Sequence, residues 1–259
     1  MTLRLLILGG TSEGRELAAA LDGEDGLHVV SSLAGAVPRP RLPVGEVRIG
    51  GFGGVDGLRR ELAGFDVVVD ATHPFAQGMT RNAAQACAIL LPDGRRIPLL
   101  RLSRPGWPAE PGWHVVPDHD EAATAAAALG RRVFITVGRN ELARYLPALR
   151  GHHVVARMVQ APDLELPDCW QILTARGPFT ADDERALMRQ HRTEVLVTKN
   201  SGGEQTRAKM LVARELGVEC VVVDRPPSPP GVPSVADVAE AVAWVRRVAG
   251  GSPVTDPSS

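Results

Sequence analysis

Aromatic residues are scarce in this chain of 259 residues: five Phe, four Trp and one Tyr, 4% of the total. A surface that stacks nucleic-acid bases is excluded by that scarcity. Excess charge is also missing. Twenty-nine Lys and Arg stand against thirty Asp and Glu, for a net charge of −1, which excludes general binding to nucleic acid or to anionic membranes. Cysteine is limited to Cys87, Cys169 and Cys220. They are far apart, lack metal-ligand spacing and sit in apolar sequence, so buried reduced thiols are expected. No apolar run approaches the length of a membrane span. Met1-Thr2-Leu3-Arg4 leads straight into an apolar strand, leaving no room for a signal peptide, so a cytoplasmic protein is expected. The catalytic signatures of several large classes are absent as well. There is no G-x-x-x-x-G-K-[ST] for an ATPase and no G-x-S-x-G for a serine hydrolase. His152 and His153 are adjacent on an expected strand and point to opposite faces, with no other His or Cys cluster, so no metal is expected.

What is present is a regular alternation. Apolar runs at 3–8, 27–32, 67–70, 98–101, 133–136, 154–158, 195–198 and 220–223 read as strands. Many are continuous, as in parallel sheets covered on both faces. Helical segments at 12–21, 76–91, 121–129, 181–189, 203–216 and 235–248 lie between them, with enough alanine for close packing on a sheet. The pattern predicts doubly wound, mainly parallel three-layer α/β (Rossmann-like) architecture. The segment Arg104-Pro105-Gly106-Trp107-Pro108-Ala109-Glu110-Pro111-Gly112 interrupts it, because its prolines favour an extended connection. Two α/β domains are therefore expected, 1–104 and 113–249, with a flexible tail over 250–259.

In open parallel sheets, ligands bind beyond the carboxyl ends of the strands. After the first strand, Gly9-Gly10-Thr11-Ser12-Glu13-Gly14-Arg15 forms a glycine turn that opens a helix. Gly9 and Gly14 match the first and third glycines of G-x-G-x-x-G, and Thr11 replaces the second. The helix N-terminus and the Thr11 and Ser12 hydroxyls suit a phosphate, although a plain turn with Ser12 as N-cap fits equally. Ser31-Ser32 follows the second strand, without the acidic residue that NAD-preferring sites use on the ribose. Small hydroxyls leave room for a 2′-phosphate, with Arg39 and Arg41 available to neutralise it, so NADP is favoured over NAD. The four glycines around Phe52 allow a close ligand approach or merely a tight turn. Asp70-Ala71-Thr72-His73 ends a buried strand. His73 could contact a cofactor or donate a proton; alternatively Asp70 or Thr72 caps the helix and His73 packs. In the second half, Gly138-Arg139 follows a strand. Lys199-Asn200-Ser201-Gly202-Gly203 and Thr206 gather lysine, amide, hydroxyls and glycines at another strand end, a set suited to anionic groups.

Together these landmarks resemble the precorrin-6A reductase family of cobalamin biosynthesis. The resemblance rests on 7–17 (ILGGTSEGREL), 32–35 (SLAG), 50–54 (GGFGG), 69–76 (VDATHPFA), 138–142 (GRNEL), 177–180 (GPFT) and 198–203 (TKNSGG), and covers residues 3 to about 248. It implies an NADPH-dependent reductase, two α/β domains with the active site between them, and a tetrapyrrole substrate, precorrin-6A, reduced at a double bond to precorrin-6B. It also implies cofactor contacts from Gly9, Gly10, Thr11, Ser12, Gly14, Arg15, Ser31, Ser32, Asp70, Thr72 and His73. Substrate contacts would come from Gly138, Arg139, Lys199, Asn200, Ser201, Gly202, Gly203 and Thr206. In the family pattern an arginine follows SLAG, where this chain has Ala36. Losing one charge-assisted contact there would cost about 1.5–3 kcal/mol of binding, unless Arg39 or Arg41 compensates.

The chemistry this predicts is hydride transfer with the protein positioning and polarising the reactants. Lys199 and His73 are the candidate catalytic residues for the accompanying proton, and solvent is the alternative donor. Neither an obligate protein partner nor a nucleic-acid or membrane partner is expected. A short-chain-type dehydrogenase or epimerase is a second reading, but its Tyr-x-x-x-Lys pair is missing: Leu149 stands four residues after Tyr145. A non-catalytic NADPH sensor is a third.

Overall fold

The structure is a computed structural model and describes residues 2–35 and 41–251. It contains two compact units, one formed by residues 2–105 and 227–251, the other by Gly106–Pro226. Ala36 and Arg39, and residues 252–259 of the expected tail, lie outside the described residues.

In the first unit the strands are β1 (Leu3–Leu8), β2 (Leu27–Leu33), β3 (Glu46–Ile49), β4 (Val67–Asp70) and β5 (Leu99–Leu102), with helices α1 (Ser12–Leu21), α2 (Gly54–Leu62) and α3 (Gln77–Ala88). The second unit contains β6 (Trp113–Val116), α4 (His119–Leu129), β7 (Arg132–Ile135), a 3-10 helix (Arg139–Tyr145), α5 (Leu146–Leu149), β8 (His153–Met158), β9 (Trp170–Thr174), α6 (Ala181–Gln190), β10 (Val195–Lys199), a short 3-10 helix (Glu204–Thr206), α7 (Ala208–Leu216) and β11 (Glu219–Val223). The chain then returns to the first unit with β12 (Ser234–Val235) and α8 (Val238–Ala249).

Each unit carries a six-stranded sheet in which every pairing is parallel. The orders are β3-β2-β1-β4-β5-β12 and β9-β8-β7-β10-β11-β6. Both follow the 3-2-1-4-5-6 order of dinucleotide-binding sheets. The sixth place is filled unusually: β6 precedes the strands it joins, and β12 crosses back to a sheet whose other strands end at Leu102. The expected 113–249 domain is corrected accordingly. Residues 227–251 belong to the first unit, because β12 pairs with β5 and α8 buries Trp244 and Val245 against Leu5, Ile7, Leu17 and Leu21.

The continuous apolar run of β1 is explained by two covered faces. Leu5 and Ile7 point to the core under α1 and α8, whereas Leu6 and Leu8 point to the core under α2 and α3. In the second unit Phe134, Leu196 and Val222 pack with Met210, Val212 and Ala213 of α7.

Candidate functional site: two strand-end switch points

The order of each sheet reverses at one place, and ligands sit outside the carboxyl ends of the strands there. In the first unit this switch point lies between β1 and β4, and in the second between β7 and β10. The sequence candidates fall at these ends, but several of their side chains are engaged with the protein itself.

Thr11 is the N-cap of α1. Its hydroxyl accepts from the Gly14 N–H at 3.1 Å, donates to the Ala71 carbonyl at 2.7 Å and is buried. Thr11 therefore fastens the glycine turn to the β4 turn, and Ser12 is the first helical residue, not the cap. Gly14 suits this closeness: a Cβ there would stand 3.3 Å from the Ala71 methyl, a tight contact. Gly10 has φ +123° and open space where a Cβ would be. The first-turn N–H groups of α1, which have no partner within the helix, lie beside that open position. Arg15 is half-buried on α1. Glu13, also in the first turn, is half-buried. Burial alone would raise its pKa, but its own backbone N–H and the Arg104 guanidinium, at 2.8 and 3.0 Å, hold the carboxyl below the usual range. Arg104, expected in a linker, thus stands at the glycine turn.

At the end of β2, Ser31 and Ser32 are buried, and the Ser31 hydroxyl has no hydrogen-bond partner. Arg48 of β3 donates to the Ser32 hydroxyl at 3.2 Å and to the Gly50 and Gly51 carbonyls at 2.8 and 3.2 Å. Its guanidinium stacks 3.9 Å from the Phe52 ring centre, and Glu61 pairs with it at 3.5 Å. Of the arginines expected to serve this position, Arg41 is exposed and Arg39 lies outside the described residues; Arg48 reaches the Ser32 hydroxyl. Its signal in the sequence was its position just before the Gly50–Gly54 turn.

At the end of β4, Asp70 is fully buried, and its Oδ1 accepts from Arg101 at 2.7 Å and from the Thr72 N–H and hydroxyl at 3.0 and 2.7 Å. Arg101 also donates to the Thr72 hydroxyl at 3.0 Å and to the Thr72 carbonyl at 3.1 Å. Asp70 and Thr72, expected to face a cofactor or to cap the helix, form a buried knot that shapes the turn. Removing one partner of such a pair costs about 3–5 kcal/mol, since the other charge stays buried. His73 Nδ1 accepts from the Phe75 N–H at 3.2 Å, so the neutral ring carries its proton on Nε2.

In the second unit, Gly138 (φ +100°) leads β7 into the 3-10 helix, and Arg139 donates to Gln160 at 2.9 Å. Lys199 ends β10 as a half-buried residue, and burial lowers its pKa, opposed by the charge of Glu141. The following loop is braced from three sides. The Trp107 N–H donates to Asn200 Oδ1 at 2.8 Å, Asn200 Nδ2 donates to the Trp107 carbonyl at 3.3 Å, and Trp107 Nε1 donates to the Gly203 carbonyl at 3.2 Å. Gly106 permits this approach, because a Cβ would lie 3.0 Å from the Asn200 amide. Arg225 donates to the Asn200 and Ser201 carbonyls at 2.7 and 2.8 Å. Buried Lys209 donates to the Thr206 carbonyl at 2.9 Å. Ser201 and Gly202 are buried, Gly202 and Gly203 have positive φ, and the Thr206 hydroxyl donates to the Gly202 carbonyl at 3.3 Å. The Asn200 amide, expected on substrate, is thus engaged in fixing the loop. Trp107 and Arg225 escaped the sequence reading because their partners are remote along the chain.

A cavity of about 160 Å³ opens near the amino ends of the second sheet, among Arg132, His153, Gln171 and His191. It is away from the switch point. Among the described residues no group of His, Cys, Asp and Glu could hold a metal ion, and no helix is long and apolar enough to cross a membrane.

Two parallel sheets in dinucleotide-binding order, a glycine turn at one switch point and a braced lysine loop at the other define an α/β protein of the Rossmann-like class. The sequence model of the family described as "Precorrin-6x reductase CbiJ/CobK" matches residues 4–246. A precorrin-6A reductase from Rhodococcus erythropolis is 51% identical over 246 residues, covering 93% of this chain and 97% of that protein. One from Mycobacterium tuberculosis is 47% identical over 247 residues, with 93% and 97% coverage. The solved structure titled "CobK precorrin-6A reductase" superposes with a TM-score of 0.83 at 38% identity, covering 98% of this chain and 99% of that one. The chain belongs to the precorrin-6x reductase family, and it is a reductase, which implies a nicotinamide cofactor.

Proposed function

We propose that this chain reduces precorrin-6A to precorrin-6B with NADPH, in the cytoplasm. The observation that carries the reading is Lys199, at the switch point of the second sheet, in a loop braced by Trp107, Lys209 and Arg225. A loop held this firmly presents fixed N–H groups and a cation, which suits a macrocycle bearing many carboxylates. The first unit fits the dinucleotide. Its glycine turn offers backbone donors at the N-terminus of α1. Ser31, Ser32 and Arg48 supply hydroxyls and a cation at the end of β2, where an NAD site would place a carboxylate; this supports NADPH over NADH. Three unpaired cysteines support the reducing compartment.

NADPH, when bound, supplies hydride to one carbon of the reduced double bond. The neighbouring carbon takes a proton, for which the Lys199 ammonium is the donor. Its burial favours release, since a desolvated ammonium gives up its proton more readily. His73, whose Nδ1 is held by the Phe75 N–H, lines the cofactor side in this reading.

Loss of NADPH absorbance on adding precorrin-6A tests the reading. Turnover with NADPH well above NADH is expected, and Arg48→Ala should erode that preference by about tenfold, through one charge-assisted contact of roughly 1.5 kcal/mol. Tight NADPH binding without oxidation by the precorrin would overturn the proposed reaction.

A further inference from the structure

The cavity at the amino ends of the second sheet is used by no step of the proposed reaction. Parallel register pairs Arg132 of β7 with His153 of β8, and Val155 of β8 with Gln171 of β9. Register partners share a face, and so do residues two apart, so Arg132, His153 and Gln171 lie on one face of the sheet. Further along that face Phe134 and Val155 are buried with Met188 of α6. The core ends where α6 ends, and His191 and Thr193, just past that helix, complete the cavity wall. Its volume of about 160 Å³ is many times what one water needs. His153 and Gln171 are exposed at its mouth, whereas Arg132, His191 and Thr193 are half-buried. Arg132 Nε donates to the His191 carbonyl at 2.8 Å, which satisfies the negative end of α6 and fixes the guanidinium at the wall. Its two Nη groups have no hydrogen-bond or ion-pair partner among the described residues, and neither do the side chains of His153, Gln171, His191 and Thr193. No carboxylate lines the cavity. Glu194, next to Thr193 but one turn of chain away from the lining, points Oε2 at the Arg131 and Arg132 N–H groups, 2.6 and 3.1 Å away. Burial and then the Arg132 charge lower the His191 pKa, as where cations crowd without an anion between them.

We propose that this cavity is an anion site separate from those of the reaction, taking a phosphate group, free or as a monoester, between the Arg132 guanidinium and the His153 and His191 rings. With Nε held by the protein, the two Nη groups remain to donate to phosphate oxygens, the charge-assisted contact for which arginine is suited. Each imidazole offers one N–H even when neutral, and the Gln171 amide and Thr193 hydroxyl add further donors. These donors converge from three strands and a helix end, so they suit a tetrahedral anion with oxygens on every side better than a planar carboxylate. The site lies at the amino ends of β7, β8 and β9 and shares no residue with the Lys199 loop at a carboxyl end.

The test is a titration of the full-length chain with inorganic phosphate at constant ionic strength and pH, followed through the imidazole NMR signals of His153 and His191. Both should shift and saturate, with NADPH at saturation as well as without it. Arg132→Ala should weaken phosphate binding by about tenfold or more, the loss of one charge-assisted contact. Arg132 also caps α6, so a second variant leaves that cap intact: His153→Ala combined with Gln171→Ala, both at the exposed mouth. Followed through His191, it should bind phosphate about fivefold more weakly or worse, having lost two neutral donors. Tighter binding of glycerol 3-phosphate than of inorganic phosphate would identify a monoester as the ligand, and the reverse order the free ion; either supports the site. Acetate bound as tightly as phosphate, shifts that follow ionic strength alone, loss of the shifts once NADPH is bound, or unchanged affinity in either folded variant would overturn it.

Discussion

Lys209 shows how a single residue can brace a site at a cost to the fold. It is buried, donates to the Thr206 carbonyl and lies 5.4 Å from the centre of the Trp107 ring. Burial lowers its pKa to about 8, with Glu184 opposing that shift. The folded value lies below the unfolded one, so the buried ammonium penalises the folded state throughout the range below pH 8. Between about pH 8 and 10.5 the unfolded chain binds more protons, and stability must rise with pH. The whole effect is on the order of 3 kcal/mol. Urea titrations across this range should show the unfolding free energy of the wild type climbing relative to Lys209→Met. Parallel curves for the two proteins would mean that Lys209 is not a buried cation. In the sequence Lys209 is one more charged residue a few positions after the TKNSGG segment. Its role is set by the packing of Trp107, Glu184 and Arg157 around it, which no local pattern encodes.

The elements were legible in proportion to their burial. Strands covered on both faces, such as β1, β4 and β10, announce themselves as unbroken apolar runs. The strands that escaped, β3, β6, β9 and β12, stand at or near sheet edges and are largely exposed or very short. A half-exposed four-residue strand carries too little period-two signal to separate it from a loop. The glycine turn was legible as a turn, but the job of Thr11 was not, since its acceptor is 60 residues away at Ala71. Thr11→Val should remove the α1 cap and leave the Ala71 carbonyl without its donor. A loss of about 1–2 kcal/mol is expected in urea unfolding. Thr11→Ser, which keeps the hydroxyl, should recover most of it. If Val and Ser variants unfold at the same denaturant concentration, Thr11 is not the clasp between the β1 and β4 turns.

At the scale of the whole chain, the first unit is closed by its last residues. Sequence order alone argued for two consecutive domains, because helix and strand patterns carry no record of which sheet a segment joins. The returning segment completes the first sheet through β12: Arg101 N–H donates to the Pro233 carbonyl and Ser103 N–H to the Val235 carbonyl. It also completes the core, since Ala241, Trp244 and Val245 of α8 are buried with Leu17, Leu21 and Leu100. Removing one buried Trp side chain already costs about 3–5 kcal/mol, comparable to much of a domain's stability of about 5–15 kcal/mol. A chain ending at Pro226 loses the entire helix and the edge strand, and its first unit should not hold a native sheet. Hydrogen exchange reads each unit separately. In the shortened chain, the amides of Leu5–Leu8 should exchange rapidly while those of Val195–Val197 remain protected, and NADPH binding should disappear. Equal protection of both segments, with NADPH still bound, would show that the first unit folds without its returning strand and helix.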